Sequence, residues 1–192
     1  SGHAPQIGEI SAPRFEFRSF GQDFDRVHHR LSRFSMPVPE KLWERHSEEI
    51  YIVSRSNDLN NTKIRDGKMD IKQWVQTVDG LEQWNPLMKG SFPLPRAVLR
   101  DEVFPAFAVT APELPAGACD YVTFLHLVMA HPELAAVRVR KQRFGYLVHD
   151  TICEYAVVLI NGARVVTVAT EATDVAALHR TIADTGMTGL EN

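Results

Sequence analysis

Charged and apolar residues alternate in a short segment that the sequence marks as a hairpin. The stretch from 62 to 72 contains Asp66-Gly67, the dipeptide that two-residue hairpin turns favour. Side chains alternate across a strand, so one face would carry Lys63, Arg65, Lys68, Asp70 and Lys72, and the other Ile64, Met69 and Ile71. Arg65 would then face Lys68, and like charges opposite each other cost stability. An anionic ligand would offset that cost; the alternative is an ordinary solvated face.

A second hairpin carries carboxylates instead. Asn161-Gly162 is a strong turn signal between a strand over 152–160 and another over 163–171. A two-residue turn sets Glu154 opposite Ala169 and makes Glu154 and Glu171 diagonal neighbours on one face. Two carboxylates at this spacing can ligate a hard cation such as Mg²⁺ or Mn²⁺. The alternative is that both pair with nearby lysine or arginine.

The strand that precedes this hairpin, predicted over 137–148, is basic on both faces. Lys141 and Arg143 share one face, and Arg138 and Arg140 share the other. Only one pair can point toward a ligand, and alternation alone leaves both choices open.

Length and charge limit the class of protein. The chain has 192 residues and a formal net charge of −3, which argues against a general nucleic-acid binder with a wholly basic surface. No apolar run reaches membrane-spanning length and no signal-peptide core is present, so no membrane partner and a cytoplasmic location are expected. Cys119 and Cys153 lie far apart in sequence, which predicts reduced structural thiols. A homodimer is compatible with the sequence.

Residues 1–12 are predicted to be an N-terminal tail, with Ser1-Gly2-His3 as a cloning remnant, and 13–192 a single domain. The further elements expected from periodicity and capping are strands over 14–18 and 49–55 and helices over 24–34, 121–131 and 175–185. The prolines between Pro86 and Pro115 predict irregular chain with one helical turn near 98–103. Strands with a charged and an apolar face predict an α+β fold. Its centre is an antiparallel β-barrel of about eight strands, with a charged lumen and flanking helices on the apolar exterior.

The order of these elements and several motifs resemble the CYTH superfamily of triphosphate tunnel metalloenzymes. The likeness spans 14 to about 186. Its motifs are Arg14-x-Glu16-x-Arg18, Lys63-x-Arg65, the strand ending in Lys72, Lys141-x-Arg143, Glu154 and Ala169-x-Glu171. The resemblance favours Lys141 and Arg143 over Arg138 and Arg140. It implies a tunnel that binds an anionic, phosphate-containing small molecule, with no nucleic acid as the main partner.

The resemblance also implies roles for individual residues. Phosphate would be bound by Arg18, Lys63, Arg65, Lys72, Lys141 and Arg143, and Mg²⁺ or Mn²⁺ by Glu16, Glu154 and Glu171. The implied activity is metal-dependent hydrolysis of triphosphate, polyphosphate or a nucleoside triphosphate. Arg14 and Ala169 stand where the family carries acids, which thins the implied metal site. A binding protein that holds a polyphosphate or nucleotide without cleaving it is therefore the alternative.

Overall fold

The strands of this chain close into an antiparallel barrel. The computed structural model describes residues 14–192, so the predicted tail over 1–12 lies outside the described residues. The barrel order is β1-β5-β4-β3-β2-β6-β7-β8, which confirms the predicted architecture. The strands are β1 (Arg14–Gly21), β2 (Glu44–Ser54), β3 (Asn57–Arg65), β4 (Lys68–Val78), β5 (Leu81–Ser91), β6 (Leu134–Val148), β7 (Thr151–Ile160) and β8 (Ala163–Ala172).

Helices lie between and after the strands. They are α1 (Asp25–Phe34), α2 (Glu40–Trp43), α3 (Arg96–Val98), a π-helical turn (Leu99–Val103), α4 (Phe104–Ala106), α5 (Tyr121–Ala130) and α6 (Val175–Thr185). The start of α6 is capped, because a carboxylate oxygen of Asp174 accepts a hydrogen bond from the backbone N–H of Ala176 at 2.9 Å. None of the helices in the described chain is long and apolar enough to cross a membrane.

Both predicted hairpins form in the predicted register. Asp66 and Gly67 have φ of 53° and 69°, and Asn161 and Gly162 have φ of 48° and 87°, as a type I′ turn requires. Lys63 pairs with Asp70 and Arg65 with Lys68 on β3 and β4. Glu154 pairs with Ala169 on β7 and β8. Turn dipeptides and strand alternation together are sufficient to set these faces.

The prediction of irregular chain beginning at Pro86 is wrong for its first residues. The strand β5 runs from Leu81 to Ser91 and passes through Pro86. It follows a third tight turn, Asp79-Gly80, in which both residues have positive φ. Proline enters a strand only where its missing N–H is not needed by the ladder, and the sequence alone does not reveal such a position. The helical turn predicted near 98–103 is confirmed by the π-helical turn.

The chain contains two compact units, each with its own core. The first comprises the described residues up to Ser47, together with Val75–Trp84 and Arg140–Asn192. Its core joins β1, β6, β7 and β8 to α1 and α6 through residues such as Phe17, Leu31, Val166 and Leu178. Helices therefore cover one face of these strands, and the charged side chains of the same strands point the other way.

The second unit comprises Glu48–Trp74 and Asn85–Val139. Ile64, Met69 and Ile71 are buried in its core with Leu99, Phe104 and Phe124 from the helical segments. The apolar face of the first hairpin is thus covered by helices, as predicted, and its charged face lies on the other side of the sheet. One domain over 13–192 stays a prediction.

The two cysteines of the chain, Cys119 and Cys153, are free and buried, as predicted. Burial raises the pKa of the Cys153 thiol, which favours the protonated, unreactive form.

Candidate functional site

Seven charged residues of the first unit gather on the face of β1, β6, β7 and β8 that the helices leave uncovered. We call them the arginine–carboxylate cluster: Arg14, Glu16, Arg18, Lys141, Arg143, Glu154 and Glu171. Alternation along the strands places them together, since the residues between them, such as Phe17 and Val168, enter the core.

Glu154 is the most buried member of the arginine–carboxylate cluster, with 8% of its surface exposed. Its Oε1 accepts a short hydrogen bond from Nε of Arg143. Its Oε2 accepts from Nη2 and Nη1 of Arg18 at 3.3 and 3.4 Å. Burial alone would raise the pKa of this carboxyl, but Arg143, Arg18 and Lys141 outweigh burial and hold the pKa well below its ordinary value. Glu154 is therefore a fixed negative charge.

The pairing with Glu154 resolves the choice between the two basic pairs of β6. Arg143 contacts Glu154 directly, and the charge of Lys141 also acts on this carboxylate. Lys141 and Arg143 thus face the cluster. Arg138 and Arg140, on the other parity, are both exposed.

Arg18 connects three strands through a small residue. In the register, Ala169 of β8 lies directly between Arg18 of β1 and Glu154 of β7. The guanidinium reaches Glu154 across the position of Ala169, and its Nη1 also donates to the hydroxyl of Thr167 at 3.2 Å. Its Nε donates to Oε1 of Glu16 at 2.7 Å. A larger side chain at 169 would stand in the way of this guanidinium.

Arg14 and Glu171 form a further ion pair of the cluster. Nη1 of Arg14 lies 3.1 Å from Oε1 of Glu171, and the Arg14 side chain is 14% exposed. Glu16 lies directly opposite Glu171 across β1 and β8. The carboxylates predicted to bind metal are therefore neighbours, and an arginine lies among them.

These carboxylates do not fit a divalent cation as they are arranged. Glu16, Glu154 and Glu171 each accept a hydrogen bond from a guanidinium. Over residues 14–192, no three His, Cys, Asp or Glu side chains form a group that could hold a metal ion. Mg²⁺ requires about six oxygens in an octahedron, whereas a guanidinium contacts at least one oxygen of each of these acids and both oxygens of Glu154. Their role as Mg²⁺ or Mn²⁺ ligands stays a prediction.

The second unit carries the lysine-rich face, which consists of Lys63, Arg65, Lys68, Asp70 and Lys72 together with Glu49 and Tyr51 of β2. Arg65 lies directly opposite Lys68, and Lys63 opposite Asp70. The face therefore holds four cations, Lys63, Arg65, Lys68 and Lys72, against two carboxylates, Glu49 and Asp70. It has a surplus of positive charge.

Glu49 belongs to the lysine-rich face, and the sequence pattern alone did not single it out. Its side chain is fully buried, and its Oε1 accepts a hydrogen bond from Nη1 of Arg65 at 3.2 Å. Its Oε2 accepts from the hydroxyl of Tyr51 at 2.9 Å. The signal was present in the alternation Glu-Ile-Tyr-Ile, which sets Glu49 and Tyr51 on the face opposite Ile50 and Ile52. Glu49 orients Arg65.

Asp70 differs from the other acids of the lysine-rich face. Its Oδ1 is buried, and within the described part of the chain it has no hydrogen-bond partner. It lies on β4 between Lys68 and Lys72 in the alternating row. The three predicted phosphate ligands of this unit, Lys63, Arg65 and Lys72, thus share one face, as Arg18, Lys141 and Arg143 do in the first unit.

The barrel resembles solved structures. A conserved hypothetical protein from Pyrococcus furiosus is 12% identical, with 93% of each chain covered and a TM-score of 0.55. A protein from Pyrococcus horikoshii is 10% identical, again with 93% of each chain covered, and has a TM-score of 0.53. The capping enzyme triphosphatase of Mimivirus is 9% identical, with 91% of this chain and 88% of that chain covered and a TM-score of 0.51. No protein-family model and no curated protein matches the sequence. These similarities establish the fold.

Proposed function

We propose that this chain, whose barrel has the fold of the CYTH superfamily of triphosphate tunnel metalloenzymes, binds a triphosphate- or polyphosphate-type anion through its cationic strand faces. The observation that carries the proposal is the lysine-rich face of the second unit. Arg65 and Lys68 are set directly opposite each other by the hairpin register. Glu49 pairs with Arg65, but four cations share this face with two carboxylates, and a bound anion would offset the repulsion that remains.

The opposite face of the same hairpin explains why these cations cannot turn away. Ile64, Met69 and Ile71 are locked in the core beneath the helical segments, so slipping the register by one residue would expose them. Glu49 holds Arg65 in a fixed orientation. Arg65 is therefore a preorganised donor, and the lysines are confined to the same strand face by the register, where their charges can reach phosphate oxygens.

The arginine–carboxylate cluster supplies a second set of proposed phosphate ligands, namely Arg18, Lys141 and Arg143. Arginine presents a planar fork of N–H donors that matches phosphate geometry, whereas lysine acts as a mobile point charge. Arg18 and Arg143 are both held by Glu154, so their forks have defined directions. Phosphate would compete with Glu154 for these donors.

The test is binding of inorganic tripolyphosphate, measured by calorimetry at two salt concentrations. Lys63→Gln and Lys72→Gln should each weaken binding about tenfold, because each loses one charge-assisted contact. Arg65 is left intact, since its loss would remove a cation from the buried carboxylate of Glu49 and could weaken folding as well as binding. Arg96→Gln, an exposed site on α3, is the matched control and should leave affinity unchanged. Equal affinities in all four proteins would reject the lysine-rich face as the binding surface.

Metal-dependent hydrolysis of triphosphate, polyphosphate or a nucleoside triphosphate is the second candidate function. It is favoured by the shared fold with the Mimivirus capping enzyme triphosphatase and by the arginine forks that could stabilise charge on a transferred phosphoryl group. The carboxylates argue against this function, because each proposed metal ligand is paired with arginine.

Phosphate release separates the two candidates. Tripolyphosphate and ATP are incubated with Mg²⁺, with Mn²⁺ or with chelator, comparing the parent chain with Glu171→Ala. Metal-dependent release that Glu171→Ala abolishes would establish the hydrolase and place Glu171 in its site. Salt-sensitive binding without release would establish a binding protein.

A further inference from the structure

The first unit places a guanidinium where its carboxylates converge. Arg14 is largely buried, and its Nη1 lies 3.1 Å from Oε1 of Glu171. Glu171 in turn lies directly opposite Glu16. Arginine carries a positive charge and donates in fixed directions, so Arg14 gives these carboxylates both a cation and oriented N–H donors.

A second guanidinium, that of Arg18, reaches the other two acids of the cluster, Glu16 and Glu154. Ala169 separates Arg18 from Glu154 in the strand register, and its methyl group leaves room for the Arg18 fork to contact both Glu154 and Glu16. Arg14 and Ala169 thus act together. Arg14 supplies a cation, and the small side chain of Ala169 leaves room for Arg18 to reach Glu154.

We infer that the guanidiniums of Arg14 and Arg18 take the place of a divalent cation among these carboxylates, so that the chain holds its phosphate-type anion without a metal. Binding of the anion rests on the proposed function. Replacement of the metal does not, because all three acids pair with arginine and a divalent ion would be repelled by Arg14.

The same geometry says how a metal site would be made. Position 169 shares its face with Glu171 and lies beside Glu154, and position 14 already reaches Glu171. Arg14→Glu with Ala169→Glu would remove one cation, block the path of Arg18 and bring five carboxylates to one face. Oxygen-rich sites of this kind suit Mn²⁺.

The test titrates Mn²⁺ alone, with no phosphate present, and follows the free ion by electron paramagnetic resonance. The parent should bind no stoichiometric Mn²⁺ below about 1 mM, and Arg14→Glu/Ala169→Glu should bind one ion at least about tenfold more tightly than the parent. The matched control is Ala163→Glu/Arg164→Glu. It makes the same change of charge at exposed positions of the same strand and should not gain binding.

Two results would overturn the inference. One is a stoichiometric Mn²⁺ site in the parent that Glu171→Gln removes, and the other is a folded Arg14→Glu/Ala169→Glu protein that gains no site. Circular dichroism establishes folding. If the double variant does not fold, the parent protein alone tests the inference, through its affinity for tripolyphosphate with chelator and with Mg²⁺. The affinity in chelator should equal or exceed the affinity in Mg²⁺. A tenfold higher affinity in Mg²⁺ overturns the inference. Absence of tripolyphosphate binding under both conditions would reject the proposed function, and the phosphate-free Mn²⁺ titration would still decide the inference.

Discussion

Replacing Glu154 with glutamine should destabilise the chain strongly and at the same time strengthen anion binding. The carboxylate accepts from two arginines, and the side chains of Glu154, Arg143 and Arg18 are 11%, 17% and 30% exposed. Removing one partner of a buried ion pair costs about 3–5 kcal/mol. Glutamine keeps one oxygen acceptor and Arg18 is partly solvated, so we expect about 3 kcal/mol.

For a chain of this length, each kcal/mol moves the thermal midpoint by about 2–4 °C. Glu154→Gln should therefore lower Tm by about 6–12 °C, read by circular dichroism at neutral pH. Asp101→Asn is the matched control, since it also converts a carboxylate paired with arginine into an amide, but both partners of the Arg100–Asp101 pair are 59% exposed. It should leave Tm unchanged.

The expected gain in anion affinity of Glu154→Gln follows from the charge that the substitution removes. An anion bound by Arg18 and Arg143 would lie about 6 Å from the carboxylate between them. Removing that negative charge would gain about 3 kcal/mol per unit of phosphate charge at an effective dielectric of about 20, or roughly a hundredfold in affinity. Tripolyphosphate should thus raise the Tm of Glu154→Gln more than that of the parent. A Glu154→Gln protein as stable as Asp101→Asn would refute the buried ion pair. Equal stabilisation of parent and variant by tripolyphosphate would refute anion binding beside Glu154.

Three further predictions concern single groups. Because the pKa of Glu154 is lowered by folding, its contribution is complete above the unfolded pKa of about 4.3 and is lost as the pH falls further. The Tm difference between parent and Glu154→Gln should therefore be full at pH 6 and shrink steadily below about pH 4. Glu49→Gln should lower Tm by about 4–8 °C, because it removes the carboxylate that pairs with Arg65 (about 2 kcal/mol). Tyr51→Phe removes one hydrogen bond and should lower Tm by about half as much. Equal losses of Tm in the two variants would contradict the ion pair. Asp174→Ala should lower Tm by about 2–4 °C through loss of the cap (about 1 kcal/mol), whereas Asp174→Asn keeps an acceptor and should not.

Local rules were sufficient for most of the barrel. The pairs Arg65–Lys68 and Glu154–Ala169 follow from a turn dipeptide and strict alternation, both of which act within about ten residues of chain. The strand β5 was missed because Pro86 is a strong local argument against a strand. Only the neighbouring strands of the barrel determine whether a missing N–H matters at that position.

The candidate site was predictable as a set of residues but not as a set of contacts. Alternation alone could not choose between Lys141 with Arg143 and Arg138 with Arg140. Tertiary structure makes the choice, because Arg143 meets Glu154 across the sheet. The same holds for Glu49, whose burial beside Arg65 depends on the pairing of β2 with β3.

By itself, the sequence determined which residue types share a face, since a strand repeats every two residues and a tight turn sets the register. It therefore determined that this chain builds charged and apolar strand faces and has helices to cover the apolar ones. Only the tertiary structure decided what the charges do to one another. Arg14 meets Glu171 from 157 residues away, and the size of Ala169 decides whether Arg18 can reach Glu154. Such contacts depend on distance in space and on room between side chains, and neither is encoded in local spacing.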